Sequence, residues 1–280
     1  MQINRIDPTR TTTLRKRFEA DLLRRMNRLS KAVQQLIVTE DAFGLVKKAP
    51  LTVNAERLRY AFPTDPQKVV AFKKWLFEQF QSGALQVDHK GGSWDQQYIS
   101  SAYKQGLLRS YIDNKKKSDT PEGRAFLAGG SEQFLRDSFA APESRAKLEL
   151  LYTRSFESLK GFTDKMGQDL SRILADGLVS GKSPIAIASS MRKQITDLSK
   201  SRARTIARTE IIRAHAEGQL QSLERQGYDD VQLFAEWSTA GDDRVCPLCA
   251  PMEGKIYTIK AAHGVHPYHP NCRCMWMPTE

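Results

Sequence analysis

Four cysteines and one histidine near the carboxyl end of the sequence have the types and the spacing of metal ligands. Cys246 and Cys249 form a Cys-x-x-Cys pair, and about twenty residues later His269, Cys272 and Cys274 form a second group. A Cys-x-x-Cys turn offers two thiolates to one tetrahedral ion, and two such groups joined by a hairpin-length insert are typical of a structural zinc site. The sequence therefore predicts a Zn²⁺ that stabilises this end of the chain.

Five candidate ligands compete for the four positions around such an ion. Cys246, Cys249, His269 and Cys272 would form a Cys₃His set, in which the second pair repeats the spacing of the first, and we favour this arrangement. Cys272 together with Cys274 would instead give a Cys₄ set. A Cys-Pro-x-Cys redox motif is a competing interpretation, but it normally begins a helix after a strand and needs no second cysteine pair. Four cysteines without metal are disfavoured by their clustering.

The sequence offers little support for catalysis. A catalytic zinc needs an open coordination position and a nearby base, and nothing in the pattern selects Glu253 for that role. His263 and His266 lie in the same loop as His269, and we expect them either beside the ligands or in solvent. His89 has no partner motif, and the sequence contains no phosphate-binding glycine loop and no serine nucleophile motif. We therefore expect no enzymatic activity, with a zinc-containing nuclease as the alternative.

The composition excludes several classes of protein. The 280 residues include 43 Lys and Arg against 32 Asp and Glu, for a formal net charge of +11, and 40% are hydrophobic. This hydrophobic content suffices for a folded core, yet no window approaches the ~20 apolar residues of a membrane span. Clustered cysteines without the apolar region of a secretory signal argue against a disulfide-rich secreted domain. The excess positive charge favours an acidic partner, either nucleic acid or an acidic protein surface.

The first strong element is an amphipathic helix from about Leu14 to Val38, because apolar residues recur there at spacings of three and four. The threonines at positions 11–13 supply N-cap candidates. Basic side chains cover the rest of its surface, and we interpret them as a face that binds DNA or a protein partner or, equally, as an ordinary solvated surface. These basic residues are Arg15, Lys16, Arg17, Arg24, Arg25, Arg28 and Lys31.

Further helices are predicted as far as Gly227. Asp65 and Pro66 begin one that ends near Gly83, another covers Trp94 to Tyr111, and the polar run 114–120 (NKKKSDT) predicts an exposed loop. Four more helices are expected: one that Pro142 begins, one over 163–180 that ends at Gly181, one capped by Ser183 and Pro184, and one over about 199–226.

Beyond Gly227 the apolar pattern changes from a helical period to alternation. This pattern predicts a strand over 231–237 and a second over 255–259, with the Cys-x-x-Cys turn between them. The predicted fold is mainly α, with helical N-terminal and central regions and a small C-terminal α+β module that resembles a zinc knuckle. The predicted organisation is a basic amphipathic helical arm (1–48), a helical region (49–140), a helical core (141–227) and a Cys/His-rich module (228–280).

The chain resembles the head morphogenesis, or Mu F-like, minor capsid proteins of tailed bacteriophages. The resemblance is specific over about the last eighty residues, where it rests on ARTEIIRAHAEG (207–218), the strand that ends at Trp237, DRVCPLC (243–249), Glu253-Gly254 and HPNCRC (269–274). It is weaker before them, where DPTRTTT (7–13), DAFG (41–44) and the aromatic residues Trp94, Tyr98 and Tyr103 are similar to helical regions of some members. The predicted helical core then belongs to the Mu F-like domain.

The resemblance implies a non-enzymatic virion component, present in few copies at the portal vertex and incorporated with the prohead before or during DNA packaging. It links the chain to head morphogenesis and to genome delivery by DNA ejection. The expected partners are the portal protein, a scaffold or major capsid protein, and packaged DNA bound nonspecifically, with no membrane. The expected location is the head interior or portal vertex of the virion, and the host cytoplasm during assembly. A basic helical protein suits a DNA-filled shell, and an amphipathic arm suits docking on an oligomeric portal. A stand-alone DNA-binding protein is the remaining alternative.

Overall fold

The described part of the chain is mainly α-helical, with a small three-stranded sheet near the carboxyl end, as the sequence predicts. The computed structural model describes residues 7–42, 65–81, 85, 92–117, 130–226 and 234–279. Within these ranges the helices are α1 (Thr12–Gln34), α2 (Asp65–Gln81), α3 (Gln96–Lys117), α4 (Ser131–Ala140), α5 (Pro142–Val179), α6 (Pro184–Gln226) and the short α7 (Ile259–Ala262). The strands are β1 (Phe234–Ser238), β2 (Ile256–Thr258) and β3 (Met275–Thr279).

The predicted N-terminal helix is confirmed. Helix α1 and the π-helical turn that continues it, Gln35–Thr39, together cover the predicted range. The residue that holds its first turn differs from the predicted threonine caps. The Asp7 carboxylate accepts a hydrogen bond from the Thr12 backbone N–H at 2.7 Å and another from the Thr9 hydroxyl at 2.7 Å. An aspartate thus satisfies a donor that the helix itself leaves unpaired.

Two predicted helix boundaries are wrong, because α5 and α6 each run through them. The Thr163 hydroxyl donates to the Lys160 carbonyl at 2.8 Å and so belongs to the interior of α5, where threonine bonds back to its own helix. Ser199 is 2% exposed inside α6 rather than at a helix start. The boundary at Gly181 is confirmed, since its φ of 62° allows the Lys182 N–H to reach the Gly177 carbonyl at 2.9 Å.

The polar run 114–120 is not a loop throughout. Helix α3 continues to Lys117, so the first four residues of the run are helical, whereas 118–120 lie outside the described residues. Lysine is a good helix former, which explains why the helix extends into the run. The predicted helix end at Gly83 and the histidine at position 89 also lie outside the described residues.

The chain forms two compact units, and each is assembled from separate stretches of sequence. One unit comprises 1–19, 95–155 and 204–280, and the other comprises 20–94 and 156–203. Helices α1, α5 and α6 contribute residues to both. The division into four consecutive domains stays a prediction.

The second unit has an all-helical core. The buried side chains of α1 lie on one stripe at spacings of three and four, and Phe72 and Leu76 of α2 are buried as well. A Cβ added at Gly167 of α5 would meet the side chains of Phe80 and Leu76 at 3.7 and 3.8 Å, so α2 packs directly on α5. This stripe comprises Leu22, Met26, Leu29 and Val33 of α1, and Ile37 of the π-helical turn continues it.

In the first unit, α3 and α6 cross with their backbones nearly in contact. A Cβ at Gly106 would overlap the His215 carbonyl oxygen, and a Cβ at Gly218 would overlap the Tyr103 carbonyl oxygen. Each helix therefore places a glycine against the backbone of the other, and a larger side chain at either position would force the helices apart. The crossing fixes the half of α6 that supports the sheet.

The sheet has the order β2-β1-β3, and both neighbours run antiparallel to β1. The predicted strands are confirmed in shortened form, with residues 231–233 outside the described ranges. The sequence analysis missed β3, which contains Pro278 and lies at an edge, where a residue without a backbone N–H is tolerated. Trp237 pairs in register with Trp276, and their rings meet edge to face at 5.3 Å.

Candidate metal centre

The first pair of candidate ligands lies on the tight turn that follows β1. The Cys249 N–H donates to the Cys246 carbonyl at 3.0 Å, and the Ala250 N–H donates to the same oxygen at 2.9 Å. The Cys249 N–H also lies 3.4 Å from Cys246 Sγ, as expected where a backbone amide supports a thiolate. This turn aims both sulfurs to one side, as the Cys-x-x-Cys spacing predicts.

The second group of ligands comes from the turn that leads into β3. The Cys272 N–H donates to the His269 carbonyl at 3.2 Å, which closes this turn. Asn271 has a φ of 64°, a conformation that asparagine tolerates better than most residues. The turn is also fastened to α6, because Asn271 Nδ2 donates to the Thr205 hydroxyl at 3.2 Å and its backbone N–H reaches the Thr209 hydroxyl at 3.4 Å.

The structure brings all five predicted ligands together. His269 Nε2 lies 3.0 Å from both Cys246 Sγ and Cys249 Sγ, and Cys249 Sγ lies 3.8 Å from Cys272 Sγ. Two sulfurs that share a tetrahedral zinc at about 2.3 Å are themselves about 3.8 Å apart, so this separation already matches. The ligand atoms form two groups that share Cys249, and Cys274 belongs to the second. The cluster can hold a metal ion, but neither group by itself is one of the two predicted four-ligand sets, so the choice between them stays open.

His269 presents the correct nitrogen to the cluster. Its Nδ1 lies 2.8 Å from the Pro270 carbonyl oxygen, which can only accept, so Nδ1 carries the proton. In the neutral ring Nε2 is then the nitrogen without a proton, and it is Nε2 that faces the two sulfurs. A backbone carbonyl that fixes the tautomer in this way is typical of histidine ligands to zinc.

The four thiols differ in their tendency to ionise. A hydrogen bond from the Cys274 thiol, opposed by burial, lowers the pKa of Cys272, while the same bond together with burial raises the pKa of Cys274. Burial also raises the pKa of Cys249 to about 12. These shifts favour ionisation of Cys272 over Cys249 and Cys274, and a metal must displace the protons of the thiols that stay protonated.

A charged bridge joins the two ligand-bearing segments. Arg273, between two of the cysteines, donates to both carboxylate oxygens of Asp242 at 2.6 and 2.7 Å. Asp242 precedes the Cys-x-x-Cys turn and also accepts from the Arg244 backbone N–H at 3.1 Å. The Arg273 hydrogen bonds lower the pKa of Asp242. The bidentate pair holds the turns in register before any metal binds.

Glu253, which the sequence analysis considered for catalysis, and Glu210 of α6 both form local contacts. Glu253 accepts a hydrogen bond from the Thr239 backbone N–H at 2.6 Å. Glu210 is 3% exposed and pairs with Arg213 at 3.0 Å, as the i,i+3 spacing on α6 predicts. Both carboxylates thus have partners that account for their positions.

A second charged cluster, which the sequence analysis missed, lies beside the metal centre. His263 Nδ1 is 2.7 Å from Glu217 Oε2, and His263 Nε2 is 2.8 Å from Glu224 Oε1. Lys147 of α5 adds a bond to Glu217 at 3.1 Å, and the Gly264 N–H donates to Glu217 at 2.9 Å. Hydrogen bonds to the two glutamates raise the pKa of His263 to about 9, so it is an imidazolium near neutral pH. The sequence does contain a sign of this cluster, because glutamates seven residues apart on a helix lie on the same face.

His266 is buried beside the same module, with its ring 4.9 Å from that of Trp237. His266 Nε2 lies 3.9 Å from Cys272 Sγ. His266 is therefore beside the candidate ligands, which was one of the two predicted positions, and not in solvent. The tryptophans and buried cysteines form one hydrophobic core with residues of α6, including Leu220.

Two of the predicted basic residues of α1 are buried and have partners within the chain. Arg15 pairs with Asp7 at 2.9 Å. Arg25 donates to the Leu85 carbonyl at 3.1 Å, and its guanidinium lies 4.5 Å from the centre of the Trp94 ring. The other five are exposed: Lys16, Arg17, Arg24, Arg28 and Lys31. Binding of DNA or a protein by this surface stays a prediction.

Comparison with known proteins identifies one family. Residues 168–277 match the family described as Phage Mu protein F like protein. The matched segment contains all five candidate ligands, helix α6 and strands β1 and β2. No curated protein and no solved structure gives a significant match to the chain. Among the helices in the described ranges, none has the length and apolar character to cross a bilayer.

Proposed function

We propose that this chain, which carries a domain of the Phage Mu protein F like family over residues 168–277, is a head morphogenesis protein of a tailed phage. More specifically, it acts as a minor head protein at the portal vertex during head assembly, DNA packaging or genome delivery. The observation that carries the proposal is the family match, because the matched segment includes the whole candidate metal centre. The protein would be present in the host cytoplasm during assembly and then in the virion.

The metal in this proposal is Zn²⁺ with a structural role. Thiolates together with one imidazole suit zinc, and a structural zinc is enclosed by protein ligands. Cys249, Cys272 and Cys274 are 2%, 1% and 3% exposed and belong to the core that surrounds the two tryptophans. When bound, the ion would link the turn after β1 to the turn before β3. Because three strands of three to five residues bury little surface, this link would supply much of the stability of the module.

The protein in this proposal is not an enzyme. A metal-dependent hydrolase needs a base aimed at the metal-bound water, and the nearby carboxylates of Glu253 and Glu210 already accept bonds from a backbone N–H and from Arg213. These contacts favour a structural role for both.

The exposed basic residues of α1 are the proposed contacts with the portal protein or with packaged DNA. Lys16 and Arg17 begin this surface, and Arg24, Arg28 and Lys31 follow at helical spacing. Arginine grips carboxylate or phosphate with two parallel bonds, which suits either partner. A scaffold or major capsid protein is a further possible contact.

Cosedimentation with proheads tests the role in head assembly. The full chain is co-expressed with a phage head gene set that includes or lacks the portal gene, and proheads are separated on gradients. Association that requires the portal supports the proposal. A chain that stays at the top of the gradient in both cases contradicts it, and cleavage of added plasmid that requires metal would point to the nuclease instead.

Native mass spectrometry tests the metal and its ligands. One zinc per chain is expected under native conditions and none after denaturation. His269→Ala and Cys274→Ser form a matched pair, since each removes the ligand that is specific to one of the two sets. Loss of zinc from the first variant alone identifies the Cys₃His set, and loss from the second alone identifies the Cys₄ set. Retention in both variants contradicts the proposed site.

A further inference from the structure

We propose that the arginine-lined cavity beside the metal centre binds a phosphate group of a nucleic acid, with Arg208 as its principal contact. The cavity has a volume of about 360 Å³, near the lower end for pockets that hold small ligands. Among the described residues, its lining includes three arginines, Arg208, Arg244 and Arg273, together with Asn271 and four of the five candidate metal ligands, and neither Asp nor Glu. This site is distinct from the exposed surface of α1, and it does not depend on association with the portal.

Arg208 differs from the other two arginines of the cavity in its ion pairing. Arg244 and Arg273 share the carboxylate of Asp242, whereas among the described residues no carboxylate forms an ion pair with Arg208. Its side chain is half-buried, and such a group gains most from a ligand that replaces lost hydration.

The surroundings of Arg208 are positively charged. Arg204 lies one helical turn earlier on α6 and pairs with Glu19 at 3.3 Å, and Arg15 pairs with Asp7. Burial, followed by repulsion from Arg15 and Arg273, lowers the pKa of Arg208, while attraction to Asp7 opposes this shift. Of these four arginines and Arg244, all except Arg208 have ion pairs with Asp7, Glu19 or Asp242, and Arg208 has none among the described residues, so an anion bound beside Arg208 would offset repulsion between these cations.

A phosphate suits this arrangement better than a single carboxylate does. Its oxygens can accept from guanidinium groups on more than one side, and here the arginines come from α6, from the turn after β1 and from the turn before β3. The net charge of +11 draws polyanions toward the chain as a whole. The competing role for Arg208 is compensation of the zinc thiolates, which carry a net negative charge.

The test measures binding of a fluorescent single-stranded oligonucleotide to the full zinc-loaded chain by anisotropy. Arg208→Gln is compared with Arg225→Gln, which removes the same charge from the same helix about 25 Å away. We expect Arg208→Gln to weaken binding roughly tenfold and to lower the salt dependence by about one phosphate contact, with little effect from the control. Competition by inorganic phosphate distinguishes a site for the free ion, and competition by a polyglutamate peptide alone would overturn the proposal in favour of an acidic protein.

Zinc content and melting temperature separate a binding role from a structural one. If Arg208→Gln binds the oligonucleotide as the wild type does but loses zinc, the arginine compensates the thiolates and the proposal is wrong. Equal losses of oligonucleotide affinity in Arg208→Gln and Arg225→Gln also overturn the proposal, since the effect would then come from net charge. If Arg208→Gln fails to fold, Arg244→Gln replaces it, because that side chain is 65% exposed and lines the same cavity. A loss of several-fold is then expected, and unchanged binding would refute the site.

Discussion

His263 stabilises the carboxyl-terminal module in a manner that depends on pH. Its imidazolium lies between the carboxylates of Glu217 and Glu224 on α6, with Lys147 as the opposing cation, and these contacts raise its pKa from 6.5 to about 9. A raised pKa in the folded state means that the stabilisation is complete below about pH 6.5 and is lost as the pH rises through about 9. Replacement of His263 by Gln removes this pH-dependent stabilisation.

The size of the effect follows from the two pKa values. At about 1.36 kcal/mol per pH unit, the difference between 6.5 and about 9 sets an upper limit of about 3.4 kcal/mol. The side chains of His263 and Glu224 are 19% and 41% exposed, so solvent screening reduces the expected contribution to about 1–2 kcal/mol. Glu217 adds no pH dependence of its own to the stability near neutral pH, since its pKa is lowered to about 2 and it stays ionised.

Urea denaturation of zinc-loaded protein, followed by tryptophan fluorescence, measures this term. The free energy of unfolding of His263→Gln should fall below that of the wild type by about 1–2 kcal/mol near pH 6, and the two should converge near pH 10. Lys260→Gln is the matched control, because it removes an exposed cation from the adjacent helix α7 and should change stability by less than about 0.5 kcal/mol. Metal loss has the opposite pH dependence, since protons compete with metal at low pH. A difference that is constant or grows from pH 6 to 10 would refute the reasoning.

Three further predictions concern the crossing, the metal and the bridge. Gly218→Ala should lower stability by about 1–3 kcal/mol in thermal melts, because its Cβ would overlap a carbonyl of α3, whereas Gly161→Ala, with open space around it, should be neutral or stabilising. Cys246→Ala, which removes a ligand common to both sets, should abolish zinc retention and lower the melting temperature. An unchanged zinc content and melting curve would exclude a structural metal. Asp242→Asn should accelerate zinc transfer to a chelator, since the bridge to Arg273 is weakened, and an unchanged rate would show that the ligands alone hold the turns.

The cluster of candidate metal ligands was predictable from the sequence because ligand type and spacing are local properties. Cys246 and Cys249 share one turn, and the roughly twenty residues between Cys249 and His269 contain strand β2 and helix α7. The spacing alone could not choose between His269 and Cys274, since both return to the same place beside β1. The helical fold was predictable for the same reason: the spacing of apolar residues that indicates a helix involves only residues close together in the sequence.

The parts that sequence reasoning missed depend on contacts between distant segments. Arg25 looks like a surface residue from its neighbours in α1, yet Leu85 and Trp94 surround it. Gly106 is an unremarkable residue within a helical pattern until α6 approaches it. The continuous helices were missed because Thr163 and Ser199 are acceptable helix starts, and only tertiary packing decides that the helix passes through them.

Helix α6 acts as the template on which the carboxyl-terminal module is assembled. From its side, Thr205 and Thr209 hold the turn of Asn271, Glu217 and Glu224 hold His263, and the Gln219 amide donates to the Trp276 carbonyl at 2.8 Å. These contacts span about 28 Å of helix, so one rigid element fixes both ends of the loop that carries His269. The sheet is too small to position that loop alone, and a metal can bind tightly only where its ligands are held in advance. The segment that matches the family likewise includes the whole of α6 together with the cysteine-rich segment.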